Sequence, residues 1–137
     1  MRVFFDSNVL LSAALWPHGA TAACYRSAVA HEHVIVVSDY VLDEVRRVSE
    51  RKFPARVGVI EQFLVAMRDF TVQVGTPTKA TSEESAVRDE ADRPVLRGAK
   101  AAGCDFLVTG DRDLLEAGIR SPSVLTPAEY VSRYSTD

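Results

Sequence analysis

Asp89-Glu90-Ala91-Asp92-Arg93-Pro94, followed one short helix later by Phe106-Leu107-Val108-Thr109-Gly110-Asp111-Arg112-Asp113, is the stretch on which the fold turns. Asp92 stands where a helix N-cap belongs, and Pro94 falls in the first turn, where its missing N–H costs nothing. Val95, Leu96, Ala99 and Ala102 recur at helical spacing, and Gly103 is placed as the stop just past the helix end. Phe106-Leu107-Val108 is too short for a helix of its own and reads as a strand buried on both faces. Thr109-Gly110-Asp111 then leaves its carboxyl end, the edge at which open α/β sheets bind ligands. The chain begins the same way: Val3-Phe4-Phe5 reads as a buried strand, and Asp6 ends it.

Working outward, the apolar runs predict strands over 2–5, 34–37, 71–74, 105–108 and 123–125. The third alternates, in Phe70-Thr71-Val72-Gln73-Val74, and should be the most exposed. Between them lie helical patterns. One carries Val9, Leu10, Leu11 and Ala14 and ends near Trp16-Pro17-His18-Gly19; the next runs from Thr21 to Ala30. Ser38 or Asp39 caps a third, with Val41, Leu42, Val45 and Val48 on one side and Glu44, Arg46, Arg47 and Glu50 interleaved. Pro54 opens a fourth, through Val57, Ile60, Phe63, Leu64 and Met67. A short helical turn over Leu114 to Gly118 and a closing helix capped by Thr126 complete the pattern. Gly75 to Ser85 is a polar loop, too short to link domains. Strands alternating with helices predict a single α/β domain over 1–137, a three-layer α/β/α arrangement around a mainly parallel five-stranded sheet. If strands one and four are neighbours, Asp6 and Asp111 end in one crevice.

Composition narrows the function. The chain has 137 residues, 47% of them hydrophobic, enough for a real core, and its net charge of -3 offers no basic field to nucleic acid or membrane. A polyanionic substrate would need metal ions to supply positive charge. Cys24 and Cys104 fit buried, reduced thiols better than a disulfide framework. No apolar run approaches the roughly 20 residues that span a bilayer, and the first residues read as a strand rather than a signal peptide, so the cytoplasm is expected.

The acids stand at informative places. Asp6 and Asp111 end buried strands, Asp92 heads a helix, and Glu44 lies early in the helix after the second strand. Carboxylates packed together repel, so some must protonate or bind a cation. Oxygen donors select Mg²⁺ or Mn²⁺, which hold phosphate oxygens and activate water. Phe5-Asp6-Ser7-Asn8-Val9-Leu10, Ser38 with Glu44 six residues on, Asp92-Arg93-Pro94-Val95-Leu96 and Leu107-Val108-Thr109-Gly110-Asp111-Arg112-Asp113 together resemble the PIN-domain family. The branch most similar is the VapC ribonucleases, toxin components of bacterial toxin–antitoxin pairs. The resemblance spans nearly the whole chain, with the blocks in the family's order.

The resemblance implies a Mg²⁺- or Mn²⁺-dependent endoribonuclease with Asp6, Glu44, Asp92 and Asp111 as its acidic catalytic site. Asp6, Asp92 and Asp111 would bind the metal with Asp113 as an accessory acid, and Ser7, Asn8, Thr109 and Asp89 would orient carboxylates or water. Hydrolysis would leave 5′-phosphate and 3′-hydroxyl ends, with Glu44 or Asp111 orienting the attacking water. It also implies an RNA substrate, a homodimer, to which the apolar residues around Val57, Ile60 and Leu64 point, and a cognate antitoxin laid across the crevice. One departure stands out: the branch often has Asp-Pro-x-Asp where this chain reads Asp89-Glu90-Ala91-Asp92, leaving open which aspartate points inward.

Each assignment has a structural rival. The rivals are a strand-end turn or cap for Asp6, an N-cap for Asp92, a solvated helix residue for Glu44 and a turn around Gly110 for Asp111 with Asp113, although the buried strands before Asp6 and Asp111 favour the site. Arg46, Arg47, Arg93 and Arg97 suit phosphates or plain solvated faces, and His18, His31 and His33 read as surface histidines. A non-catalytic binding module is the alternative function. Phosphotransfer folds fit poorly: Asn8 stands where a haloacid-dehalogenase fold needs an acid, and no Gly-rich phosphate loop is present.

Overall fold

The computed structural model describes residues 1–135, and across them the apolar runs assemble into one sheet. Its strands are β1 (Arg2–Phe5), β2 (Val34–Ser38), β3 (Thr71–Val74), β4 (Phe106–Val108) and β5 (Ser123–Leu125), in the order β3-β2-β1-β4-β5. Every neighbouring pair is parallel, so the sheet is wholly rather than mainly parallel. Helices α1 (Ser7–Leu15) and α2 (Ala22–Ala30) connect β1 to β2; α3 (Asp39–Lys52) and α4 (Val57–Met67) connect β2 to β3. Then α5 (Arg93–Ala101) leads into β4, α6 (Arg112–Leu115) lies between β4 and β5, and α7 (Pro127–Arg133) follows β5. The result is the expected three-layer α/β/α arrangement.

Burial explains the parallel sheet. Val3, Phe4, Phe5, Ile35, Val36, Val37, Leu107 and Val108 are buried without alternation, so their strands need cover on both faces. β3, at one edge, is the most exposed strand, as expected, but its burial does not alternate: the adjacent Val72 and Gln73 are both exposed. The winding places the site. From β1 the chain moves outward through β2 to β3, then returns to lay β4 beside β1, with Phe5 opposite Val108. Connections therefore diverge between β1 and β4, and a crevice opens there at the carboxyl ends.

Several boundaries and roles differ from expectation, each for a local reason. α1 begins at Ser7, with no intervening turn, because Asp6 caps it directly. α6 starts at Arg112 rather than Leu114, because the Asp111 carboxylate accepts the Asp113 N–H at 2.8 Å. Ile60 and Leu64, read as surplus apolar surface, are 1% and 5% exposed and belong to this chain's own core. The apolar side chains left outside in this region are Val59, Val65, Phe70 and Val72. Arg97 is not on a solvated face: it forks onto buried Glu84 at 2.6 and 3.2 Å, tying α5 to the loop after β3. His33 is also engaged, its Nδ1 2.7 Å from the hydroxyl of the buried Tyr130. Both cysteines are buried and free, as expected. No helix among the described residues is long and apolar enough to cross a membrane.

Candidate active site

The crevice is built from strand ends. The Asp6 N–H donates to the Val108 carbonyl at 3.1 Å, carrying the β1–β4 ladder one step past both strands. Asp6 is 2% exposed. One of its oxygens accepts the Ser7 N–H at 2.7 Å, as an N-cap does; the other accepts the Thr109 hydroxyl at 2.7 Å. The capping and the site readings of Asp6 thus coincide in one carboxylate. Thr109 is buried, and its oxygen also accepts the Asp111 N–H at 2.9 Å, so one hydroxyl aligns both strand-end acids. Asn8 bridges the same two segments: its amide nitrogen lies 3.5 Å from Asp6, and its oxygen accepts the Gly110 N–H at 3.1 Å.

Two helices bring the remaining acids. α3 is capped by Ser38, whose oxygen accepts the Val41 N–H at 3.2 Å, and it carries Glu44 to the Ser7 hydroxyl, which donates to Glu44 Oε1. α5 packs on β1 and β2 at Gly98, where a Cβ would make ordinary contact, 3.4 Å from that of Ser38 and 3.7 Å from the Phe4 ring. Its N-terminal end differs from the expected cap. Asp92 occupies the cap position in helical conformation and makes no capping bond, since a 3-10 turn over Glu90–Asp92 runs straight into the helix. Asp89 does the capping instead, accepting the Ala91 N–H at 3.0 Å. The Asp92 carboxyl, released from that duty, turns to Asp111.

The electrostatics reflect the crowding. Burial pushes the Asp6 carboxyl up to about 6; the bonds from Thr109 and Ser7 oppose the rise, and the charges of Glu44 and Asp111 add to it. Asp92 is held far above the ordinary carboxylate range, first by burial, then by its hydrogen bond with Asp111 and the charges of Asp111, Asp89 and Asp6. Asp113 is paired with Arg88 at 2.8 Å. Asp89, Asp92 and Asp113 each present one carboxylate oxygen, all within 4.8 Å of one another.

The structure therefore gathers Asp6, Glu44, Asp92 and Asp111 around one crevice, with Asp89 and Asp113 beside Asp92. Ser7, Asn8 and Thr109 each bond one of these acids or the loop that carries them. Arg46, Arg47 and Arg93 lie in ordinary pairs, with Glu61, Asp43 and Glu90. Two contributors escaped sequence reading. Arg88 offered no signal, standing in a loop. Tyr40 did: it lies one turn before Glu44 on α3, and its hydroxyl donates to the Ala91 carbonyl, bracing the turn that carries Asp92.

A family profile described as a PIN domain matches residues 2–113. Among solved structures, the chain is similar to one in the crystal structure of VapBC2 from Rickettsia felis bound to a DNA fragment from their promoter, with a TM-score of 0.69 and 14% identity over 92% of this chain and 98% of that one. No curated protein matches by sequence.

Proposed function

The chain belongs to the PIN-domain family, and from that premise we propose that it is a metal-dependent endoribonuclease, the toxin of a bacterial type II toxin–antitoxin pair. One observation carries the proposal. Carboxyls from segments far apart in sequence converge at the β1–β4 crevice, where burial first, and the neighbouring acids after it, raise Asp6 and Asp92 above their ordinary range. Such crowding is unfavourable without a counter-charge, and a cation relieves it.

The donors suit Mg²⁺ or Mn²⁺, since all are carboxylate oxygens and those of Asp89, Asp92 and Asp113 lie within 4.8 Å of one another, with Asp6 and Asp111 outside that set of three. Asp6, Asp92, Asp111 and Asp113 would hold the ion, with Asp89 as a further donor. When bound, such an ion supplies Lewis-acid charge to a phosphodiester and lowers the pKa of water. The protein's own part is positioning. Ser7 N–H and the Thr109 hydroxyl lock the Asp6 carboxylate in one orientation. Asn8 fixes the Gly110 loop, and with it Asp111, against the end of β1. Glu44, its Oε1 engaged by Ser7, offers Oε2 as acceptor for a proton from the attacking water. In-line attack then leaves a 5′-phosphate and a 3′-hydroxyl. The likeness to a chain of VapBC2 supports a cognate antitoxin as partner; the gathered acids would suit a basic side chain from it.

The test is cleavage of RNA by the wild-type protein and Asp6→Asn in Mg²⁺ or Mn²⁺, with and without EDTA. The wild type should cut only with metal, and the variant should lose activity by orders of magnitude while still folding. Equal cleavage by both, or indifference to EDTA, would overturn the assignment.

A further inference from the structure

Beside the acids runs a groove of about 330 Å³ between α1 and α3, which Ser7, Asn8 and Glu44 border at one end and Trp16, Lys52 and Phe53 at the other. The floor is apolar, with Leu11 among its lining. Trp16 is the only tryptophan in the chain, yet it is 57% exposed, at the C-terminal end of α1. An exposed indole at the rim of an apolar groove offers a flat face on which another ring can stack. Cations stand at that end of the groove: Lys52 closes α3, and Arg56 reaches back to the Leu15 carbonyl at 3.4 Å.

A larger hollow elsewhere, about 730 Å³, does not include the site acids; it is lined by Asp39 and Asp43, and its cation Arg46 is engaged by Glu61 at 2.9 Å. The α1–α3 groove, by contrast, borders the acids and offers a polyanionic strand Lys52. The groove's volume lies at the low end of small-molecule sites, roughly 300–1,000 Å³, enough for one nucleoside. Because it is continuous with the acids through Ser7, Asn8 and Glu44, whatever fills it lies next to the bond to be cut.

We propose that this groove seats a nucleobase of single-stranded RNA flanking the scissile phosphate, with Trp16 as its stacking platform and Lys52 holding the neighbouring backbone. The inference rests on the ribonuclease reading and adds to it the path of the strand. Stacking on an exposed indole tolerates any base, so the site contributes affinity and direction, and Ser12 at the wall is a group able to meet a base edge.

The single tryptophan makes the test direct. Short single-stranded RNA of mixed sequence, labelled for anisotropy, is titrated in EDTA into the full chain, with indole emission read in parallel. Expected are quenching of Trp16 emission on binding, and five- to hundredfold weaker binding for Trp16→Ala with an unchanged melting temperature. Lys52→Gln should weaken binding and flatten its salt dependence. RNA that binds by anisotropy without quenching, and equally well to Trp16→Ala, overturns the groove assignment and leaves the nuclease reading standing. Absence of RNA binding by either readout in EDTA overturns the groove proposal, while the nuclease reading is judged separately by cleavage in Mg²⁺ or Mn²⁺. Quenching by an amphipathic helical peptide but not by RNA would show that the groove serves a protein partner, and this too overturns the proposal.

Discussion

At the scale of single residues, Asp6 concentrates the design. The same carboxylate caps α1, accepts Thr109 and sits among the other acids, so its charge is both used and resisted. The sign of its linkage follows. Its pKa is 3.8 when exposed and about 6 in the fold, so the folded state holds the proton more tightly. Stability of the metal-free protein should fall as pH rises from about 4 to about 6 and then level off, by up to about 3 kcal/mol. Asp6→Asn keeps the capping geometry and lacks the charge, so at pH 7–8 without metal it should melt higher than the wild type. In Mn²⁺ the order should narrow or reverse, because only the wild type gains the ion. Thermal melts of both proteins across this pH range, with and without Mn²⁺, measure it. A variant less stable than the wild type in EDTA at pH 8 would show that the carboxylate is not under strain.

At the scale of elements, the site depends on how α5 is anchored. Its N-terminal end carries Asp92, and Arg97 in the helix forks onto Glu84, which is 3% exposed in the 3-10 turn over Glu83–Ala86. The Arg97 guanidinium, with help from Thr81, holds the Glu84 carboxyl down at about 2, against an ordinary 4.5. A depressed carboxyl contributes stability that is complete above about 4.5 and lost as pH falls toward 2. Removing one partner of a buried pair is costlier than removing both, so Arg97→Met should lose about 3–5 kcal/mol at pH 7, whereas Arg97→Met with Glu84→Leu should recover much of it. Denaturant titrations at pH 7 and pH 3 separate the cases: the wild-type advantage should shrink at the lower pH. An Arg97→Met protein as stable as the wild type at pH 7 would mean the pair does not anchor the helix.

At the scale of the whole molecule, the question is what covers the surface the core leaves over. With Ile60 and Leu64 turned inward, the apolar side chains still outside on and after α4 are Val59, Val65, Phe70 and Val72. Phe70 rests on Tyr25, ring centres 6.4 Å apart, so this surface reaches α2. We expect the chain to self-associate through it, and Val65→Glu to yield a folded monomer. Light scattering checks both; a strict wild-type monomer at high micromolar concentration would remove the dimer.

What the sequence determined by itself was everything set by periodicity and local capping. Unbroken apolar triplets at Val3–Phe5 and Phe106–Val108 demanded strands covered on both faces, and Gly103, at φ 65°, ended α5 where a left-handed residue is needed. The acids at the strand ends were legible for the same reason, because a strand's carboxyl end is a position in sequence as much as in space. Direction and partnership were not. That β4 returns beside β1 is a long-range packing choice, and without it Asp6 and Asp111 share no crevice. Which aspartate of Asp89 and Asp92 caps and which meets Asp111 depended on a 3-10 turn running into α5, a backbone detail that composition does not encode. The fate of Arg97 was equally hidden: its partner Glu84 stands thirteen residues away in a polar loop, and only the fold buries that loop deeply enough to make the pair matter.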